Sequence, residues 1–203
     1  KSALQISGEL GNKNLLRRVL NNIGSMYFYK GDFDKAMDYF IRALDIYEEF
    51  DDKKNMGTIF LNLGHIYSTK GDHDIALDYF TRSHEIAEEI GDKSGIGYTL
   101  LGFGEVYLNN GYYEKALDKY IRSVEIFEEL SDKYMMGHSL SSLGTIYATK
   151  GDYEKALDYL EKSLSIQKEI GLGGELPLRI TTYLYLTYKN LSKEYDVNEI
   201  HSL

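Results

Sequence analysis

The chain has 203 residues, of which 43% are hydrophobic and 27% charged, a composition that excludes a disordered polypeptide and suffices for a buried core. Asp and Glu outnumber Lys and Arg by 32 to 23, giving a net charge of −9, which argues against nucleic acid and favours basic character in a protein or peptide partner. No cysteine is present, so disulfides and thiolate sites are excluded. No apolar run approaches the roughly 18 residues of a membrane span, and we expect a cytoplasmic protein without membrane contact.

The chain repeats itself at a fixed interval. The segments KGDFDKAMDYF, KGDHDIALDYF, NGYYEKALDKY and KGDYEKALDYL align in register, and their glycines give the interval as 71 − 31 = 40 residues. Repetition at this length is typical of stacked supersecondary units. It predicts a single array over 1–203, with four complete repeats at 13–52, 53–92, 93–132 and 133–172.

Each repeat reads as two helices. In the first repeat, apolar residues at helical spacing predict helix A from about Asn14 to Lys30, ended by Gly31 in the left-handed conformation. Asp32 is a suitable N-cap for helix B, from about Phe33 to Phe50. Because the connecting turn is so short, the two helices are predicted to run antiparallel.

Small residues recur where the two helices face each other. We expect Gly24 of helix A and Ala36 of helix B to point toward each other and to allow a close approach of the backbones. One helix pair cannot cover both of its apolar faces, so each pair must stack on the next. The predicted fold is therefore all-α, a right-handed α-solenoid of stacked antiparallel helix pairs.

Both ends of the chain depart from the repeat. Residues 1–12 match the last part of a helix B shifted by 40 residues, so they are interpreted as the end of a preceding repeat. Residues 173–203 form an atypical or terminating unit, in which Leu178 to Tyr195 reads as a helix A and Leu184 replaces the small glycine. Such ends are predicted to leave apolar helix faces uncovered, through which two copies could stack as an end-to-end homodimer.

No catalytic arrangement is recognisable. The five histidines form no metal-binding pair and no nucleophile triad, and the glycine-rich stretch at Gly171 lacks the ending and the preceding strand of a phosphate loop. We therefore predict no catalytic residue, no metal site and no cofactor, and we expect a protein that is not an enzyme. An enzymatic alternative has only isolated histidines and acids to motivate it.

A stripe of polar residues follows the side of helix A opposite its apolar residues, whereas the outward stripe of helix B is almost wholly charged. Uncharged polar side chains can hydrogen-bond a peptide backbone with little desolvation cost, and tyrosine adds an apolar platform. Gly102 and Ser142 interrupt the column of asparagines. The predicted peptide-binding residues are Arg18, Asn22, Ser25, Tyr29, Thr58, Asn62, His65, Thr69, Tyr98, Glu105, Asn109, His138 and Thr145.

These columns resemble the tetratricopeptide repeat, whose small and aromatic positions match Gly24, Tyr27, Ala36, Phe40 and Ala43 over about four-fifths of the chain. The family period is about 34 residues, and the longer interval here is similar to a long-helix subgroup found in kinesin light chains, spindle-orientation adaptors and bacterial peptide-sensing regulators. The family's proline near the end of helix B is absent.

The resemblance implies that helix A lines a concave groove and that Asn22 and Asn62 hold the backbone of a ligand. On this basis we expect a protein–protein interaction scaffold, or adaptor, that binds an extended or helical peptide segment. The alternative is a sensor or assembly segment of a larger signalling or transcription-regulatory protein.

Overall fold

A computed structural model of the chain describes residues 12–171 and 178–191, the last stretch without the side chains of residues 178–181. Within these residues the chain forms nine helices and no strand, so the all-α prediction is confirmed. The helices are α1 (Lys13–Tyr29), α2 (Phe33–Glu49), α3 (Lys53–Lys70), α4 (His73–Glu89), α5 (Lys93–Asn109), α6 (Tyr113–Glu129), α7 (Lys133–Lys150), α8 (Tyr153–Glu169) and α9 (Leu178–Asn190).

Two helices occupy each predicted repeat, at positions that keep the 40-residue interval. In the first repeat, α1 begins and ends one residue earlier than the predicted helix A, and α2 ends one residue earlier than the predicted helix B. In the last unit, α9 ends at Asn190 rather than at the predicted Tyr195. Residues 1–11, on which the preceding-repeat interpretation depends, lie outside the described residues.

The turns follow the predicted capping chemistry. Gly31 has a φ of +75°, a conformation that suits glycine because it has no Cβ. The side chain of Asp32 accepts a hydrogen bond from the Lys35 backbone N–H at 3.4 Å, which caps the start of α2. That Asp32 carboxylate also binds the Lys35 ammonium, and this hydrogen bond lowers the pKa of Asp32.

The contacts divide the chain into two compact units, Lys1–Gly102 and Phe103–Leu203, which are called unit 1 and unit 2. In unit 1, α1 packs on α2, α2 on α3, and α3 on α4. In unit 2, α6 packs on α7, α7 on α8, and α9 on both α7 and α8. Each helix pair therefore stacks on the next within its unit, while the single array over 1–203 stays a prediction.

The glycines of helix A meet an aromatic ring of helix B. A Cβ atom placed on Gly24 would lie 2.7 Å from Cδ1 of Phe40, and one on Gly64 would lie 2.5 Å from Cε1 of Phe80. Both rings are fully buried. The atoms nearest to Gly24 thus belong to the Phe40 ring, one helical turn beyond Ala36. In the fourth repeat, a Cβ atom on Gly144 would also lie 3.1 Å from the carbonyl oxygen of Ala156, the counterpart of Ala36.

The last helix shows how the array changes where glycine is missing. Leu184 of α9 is fully buried and packs with Leu157 and Leu160 of α8. In the preceding repeat, a Cβ atom on Gly144 would lie 2.6 Å from Cγ of Leu160, so that position admits no side chain. The predicted difference in packing of the last unit is therefore present in α9, where a leucine fills its position in the core.

We expect Gly64→Ala to destabilise the chain, because its new methyl group overlaps the buried Phe80 ring. Overpacking of this kind costs about 1–3 kcal/mol, which exceeds the roughly 0.5–1 kcal/mol that alanine gains over glycine in a helix. Gly137→Ala is the matched control, since its Cβ atom would meet Ile166 at an ordinary 3.5 Å. Urea unfolding should show a loss of stability for Gly64→Ala and no loss for Gly137→Ala; equal effects would contradict the packing account.

Candidate functional site

The outward sides of α1 and α3 form the surface that the sequence singled out in unit 1. Only Leu20 and Gly24 of α1 are buried, whereas seven residues of α3 are buried, Phe60 and Gly64 among them, so α3 leaves a narrower outward side than α1. We call this surface the unit 1 face. Its members are Arg18, Asn22, Ser25 and Tyr29 on α1, Thr58, Asn62, His65 and Thr69 on α3, and Tyr98 on α5.

Two asparagines occupy equivalent positions on this face. Asn22 is exposed and Asn62 is half-buried. Neither carboxamide makes a hydrogen bond within residues 12–171 and 178–191. Each therefore offers two N–H donors and one carbonyl acceptor to a ligand, which is the complement that a peptide group requires.

The serine and threonine hydroxyl groups of the face form hydrogen bonds within their own helices. Ser25 donates to the Asn21 carbonyl at 3.1 Å and Thr58 to the Lys54 carbonyl at 3.1 Å. Thr69 likewise donates to the His65 carbonyl at 2.9 Å. Because each of these three hydroxyl hydrogens is used within its helix, the three oxygens face a ligand as acceptors, and the donors of the face include its amides, the Arg18 guanidinium and the Tyr29 hydroxyl.

An apolar platform lies at the C-terminal end of α1. The side chain of Tyr29 is 86% exposed, and Met26, three residues earlier, is 56% exposed. Met26 lies outside the polar stripe predicted from the sequence, and its counterpart in the second repeat, Ile66, is fully buried. The one signal that distinguishes Met26 is its place on the first described helix, where no earlier described helix covers it.

His65 has a packing role in addition to its place on the face. Its ring stands edge-on to the Phe80 ring, with centroids 5.1 Å apart. Desolvation lowers the pKa of His65 to about 4, so the side chain is neutral at physiological pH. It therefore presents no positive charge to a ligand.

The interruption of the asparagine column at Gly102 has a steric cause. A Cβ atom at Gly102 would lie 2.6 Å from Cε1 and Cζ of Phe80, and Gly64 approaches the same ring equally closely. Phe80 is thus enclosed between two glycines of α3 and α5. An asparagine at 102 would overlap this ring, so the column cannot continue past Asn62 in unit 1.

The predicted residues of unit 2 differ in accessibility. Glu105, Asn109 and His138 are exposed, but Thr145 is only 4% exposed and donates a hydrogen bond to the Ser141 carbonyl. Ser142, in the asparagine column, is also 4% exposed. Thr145 is therefore a buried residue, which corrects its placement on an accessible surface. Tyr98, on the unit 1 part of α5, is half-buried.

Neither a metal-binding cluster nor a membrane-spanning helix is present among the described residues. No group of three or more His, Asp or Glu side chains there is arranged to hold a metal ion. No helix in the same part of the chain is both long enough and apolar enough to cross a membrane.

The repeat geometry is matched by a family model. The model of the tetratricopeptide repeat matches residues 15–89 and 95–169, which is well over half of the chain. The chain belongs to the tetratricopeptide repeat family. Its fold is accordingly the all-α solenoid of helix pairs that this family shares, and family members generally mediate protein–protein interaction, typically as non-catalytic scaffolds.

Solved structures show the same fold at low sequence identity. BtubC from P. vanneervenii has a TM-score of 0.79 and 20% identity, over 94% of this chain and 80% of that one. Aspartyl phosphate phosphatase F from Bacillus subtilis has a TM-score of 0.78 and 17% identity, over 100% of this chain and 48% of that one. No curated protein sequence matches the chain.

A signal transduction ATPase with a tetratricopeptide repeat sensor, from Pyrococcus horikoshii, is a third similar structure. It has a TM-score of 0.74 and 23% identity, over 90% of this chain. The chain spans 28% of its length and 48% of the length of the phosphatase. At these identities the similarity concerns the fold alone.

The lowered pKa of His65 predicts a pH dependence of stability. Its folded-state pKa of about 4 lies below the value of about 6.5 in an unfolded chain, so its stabilising contribution is complete above pH 6.5 and is lost as the pH falls toward 4. Between pH 7 and pH 5 we expect the parent to lose about 1–2 kcal/mol more unfolding free energy than His65→Gln. Urea unfolding at both pH values tests this, and identical losses in the two proteins would contradict it.

Proposed function

We propose that the chain is a protein-binding module that holds an extended or helical segment of a partner protein on the unit 1 face. The observation that carries the proposal is the pair of unengaged carboxamides of Asn22 and Asn62, which lie at equivalent positions of neighbouring repeats. On the outward side of α2, by contrast, Asp38 is paired with Arg42 at 3.3 Å. Polar groups that are left without an internal partner at repeated positions are suited to a ligand.

The two asparagines stand on different helices, α1 and α3, which both pack on α2. A peptide that binds both carboxamides therefore runs across these helices. The same donor and acceptor groups serve any peptide backbone, so these contacts hold a segment without reading its sequence.

Other residues on the face, together with Met26 beside it, supply further contacts. Tyr29 and Met26 offer exposed apolar surface at one end, and tyrosine loses few rotamers when it is covered. The hydroxyl oxygens of Thr58 and Thr69 offer acceptors. Because all of these residues stand on helices that pack on a common core, their backbones are held in place before the ligand arrives, which reduces the entropy lost on binding.

A second candidate function is a sensor segment of a larger signalling or regulatory protein. The similar ATPase of Pyrococcus horikoshii has a tetratricopeptide repeat sensor, and the chain matches only part of that protein. In this case the same face would bind a peptide signal or another part of the same polypeptide. The full reading frame decides between the two candidates, because a sensor requires an output domain in the same protein.

The proposal predicts that Asn22→Ala/Asn62→Ala weakens peptide binding. Peptides are first selected from a displayed library of random 12-residue sequences on the immobilised full chain, and affinities are then measured by fluorescence anisotropy. Each lost hydrogen bond contributes about 0.5–1.5 kcal/mol, so we expect the dissociation constant to rise about tenfold.

Asp45→Ala/Glu85→Ala is the matched control. These two exposed residues are also 40 positions apart, on the outward sides of α2 and α4. The control should retain the parent's affinity, and circular dichroism should show the parent's helix content for both variants. If the asparagine variant bound as tightly as the control, the unit 1 face would not be the binding site.

A further inference from the structure

The charges of unit 1 are divided between its two kinds of helix. Helices α1 and α3 contain no Asp or Glu and three Lys or Arg each. Helices α2 and α4 contain five Asp or Glu each, against two basic residues in α2 and one in α4. The negative net charge of the chain is therefore not a property of the face that the asparagines share.

Most of the cations on α1 and α3 are already neutralised. They form ion pairs with acidic residues of the helix B positions or the following turn, and the pairs are Lys13–Glu49, Arg17–Asp52, Lys53–Glu89 and Lys70–Asp34. Two cations remain. Within the described residues, the Arg18 and Lys54 side chains make no ion pair or hydrogen bond, and both are exposed.

The two remaining cations stand on the first halves of α1 and α3. Lys54 lies one helical turn before Thr58, a member of the unit 1 face that is the counterpart of Arg18 in the second repeat. A ligand segment that runs across the first halves of both helices meets both long side chains. The first turns of α1 and α3 contain no acidic residue, and the Asp52 carboxylate that caps α3 is paired with Arg17.

The acidic residues nearest to Lys54 in sequence are engaged elsewhere. The carboxylate of Asp52 lies 3.2 Å from Arg17 and also accepts a hydrogen bond from the backbone of Asn55. The pKa of Lys53 is raised, mainly by its hydrogen bond to Glu89 and to a smaller extent by the charge of Asp51. Within the described residues, neither carboxylate forms an ion pair with Lys54, so the Lys54 ammonium stays available to a ligand.

We infer that the segment bound on the unit 1 face is acidic, with carboxylates that meet Arg18 and Lys54 beside the backbone held by Asn22 and Asn62. This inference rests on the proposed function and specifies the chemistry of its partner. It differs from the basic partner that the net charge of −9 suggests. Charge complementarity of this kind raises association rates and excludes partners of the wrong sign.

The test uses the same displayed library of random 12-residue peptides, selected on the full chain at low ionic strength. We expect the enriched peptides to carry net negative charge. Arg18→Ala/Lys54→Ala should raise their dissociation constants about tenfold, and added salt should weaken parent binding because the contacts lie near the surface. Lys35→Ala/Arg42→Ala is the control, since it also changes the net charge from −9 to −9 − 2 = −11 but alters only α2.

Each outcome has a defined meaning. Acidic peptides that lose affinity in Arg18→Ala/Lys54→Ala and keep it in the control support the inference. Neutral or basic peptides that still require Asn22 and Asn62 overturn it and leave the proposed function intact, as do acidic peptides that bind both charge variants equally. Peptides that are indifferent to Asn22→Ala/Asn62→Ala, or a selection that enriches nothing, count against both proposals.

Discussion

The contact between a glycine of helix A and an aromatic ring of helix B is the constraint on which the rest of unit 1 depends. Any side chain at Gly24 or Gly64 would overlap the buried ring of Phe40 or Phe80, so the two helices are as close as their backbones permit. The ring in turn covers the apolar stripe of both helices. This contact fixes which side of each helix A is buried and therefore which side is left for a ligand.

The same constraint explains why the exposed sides of the two helix types differ. The inner side of α1 and α3 is taken by glycines and aliphatic residues, and their outer side carries amides, hydroxyls and two unpaired cations. The outer side of α2 and α4 carries most of the acids, several of which neutralise lysines at the helix ends, as Glu49 does for Lys13. Exposed ion pairs of this sort contribute little to stability, but they decide which charges remain for a partner.

Much of the fold was predictable from the sequence, because the same helix, turn and capping residues recur every 40 residues. The turn at Gly31, the cap at Asp32 and the pairing of α1 with α2 all follow from local rules that need no knowledge of distant neighbours. Helix ends were predicted to within one residue in the first repeat, while α9 proved shorter than expected. The close contact between Gly24 and the Phe40 ring was not predicted, since the sequence indicates a direction around a helix but not the size of the ring opposite.

The site was predicted less completely, for a related reason. Helical periodicity gave the direction of Thr145 and His65, but it does not tell how deeply a neighbour covers each position. Thr145 is buried, and His65 packs on Phe80 with a lowered pKa. Lys54 was missed because only the ion pairs of the folded chain show which cations stay unpaired.

The most direct test of the central claim is chemical-shift mapping of the side-chain amides in the nitrogen-15-labelled full chain with a library-selected peptide. If the unit 1 face is the binding surface, the amide signals of Asn22 and Asn62 should shift most on titration, while that of Asn110, which donates to the Val106 carbonyl at 2.9 Å, should stay in place. Unchanged Asn22 and Asn62 signals, with the largest shifts among the backbone amides of α2 and α4 in the same spectra, would contradict the account.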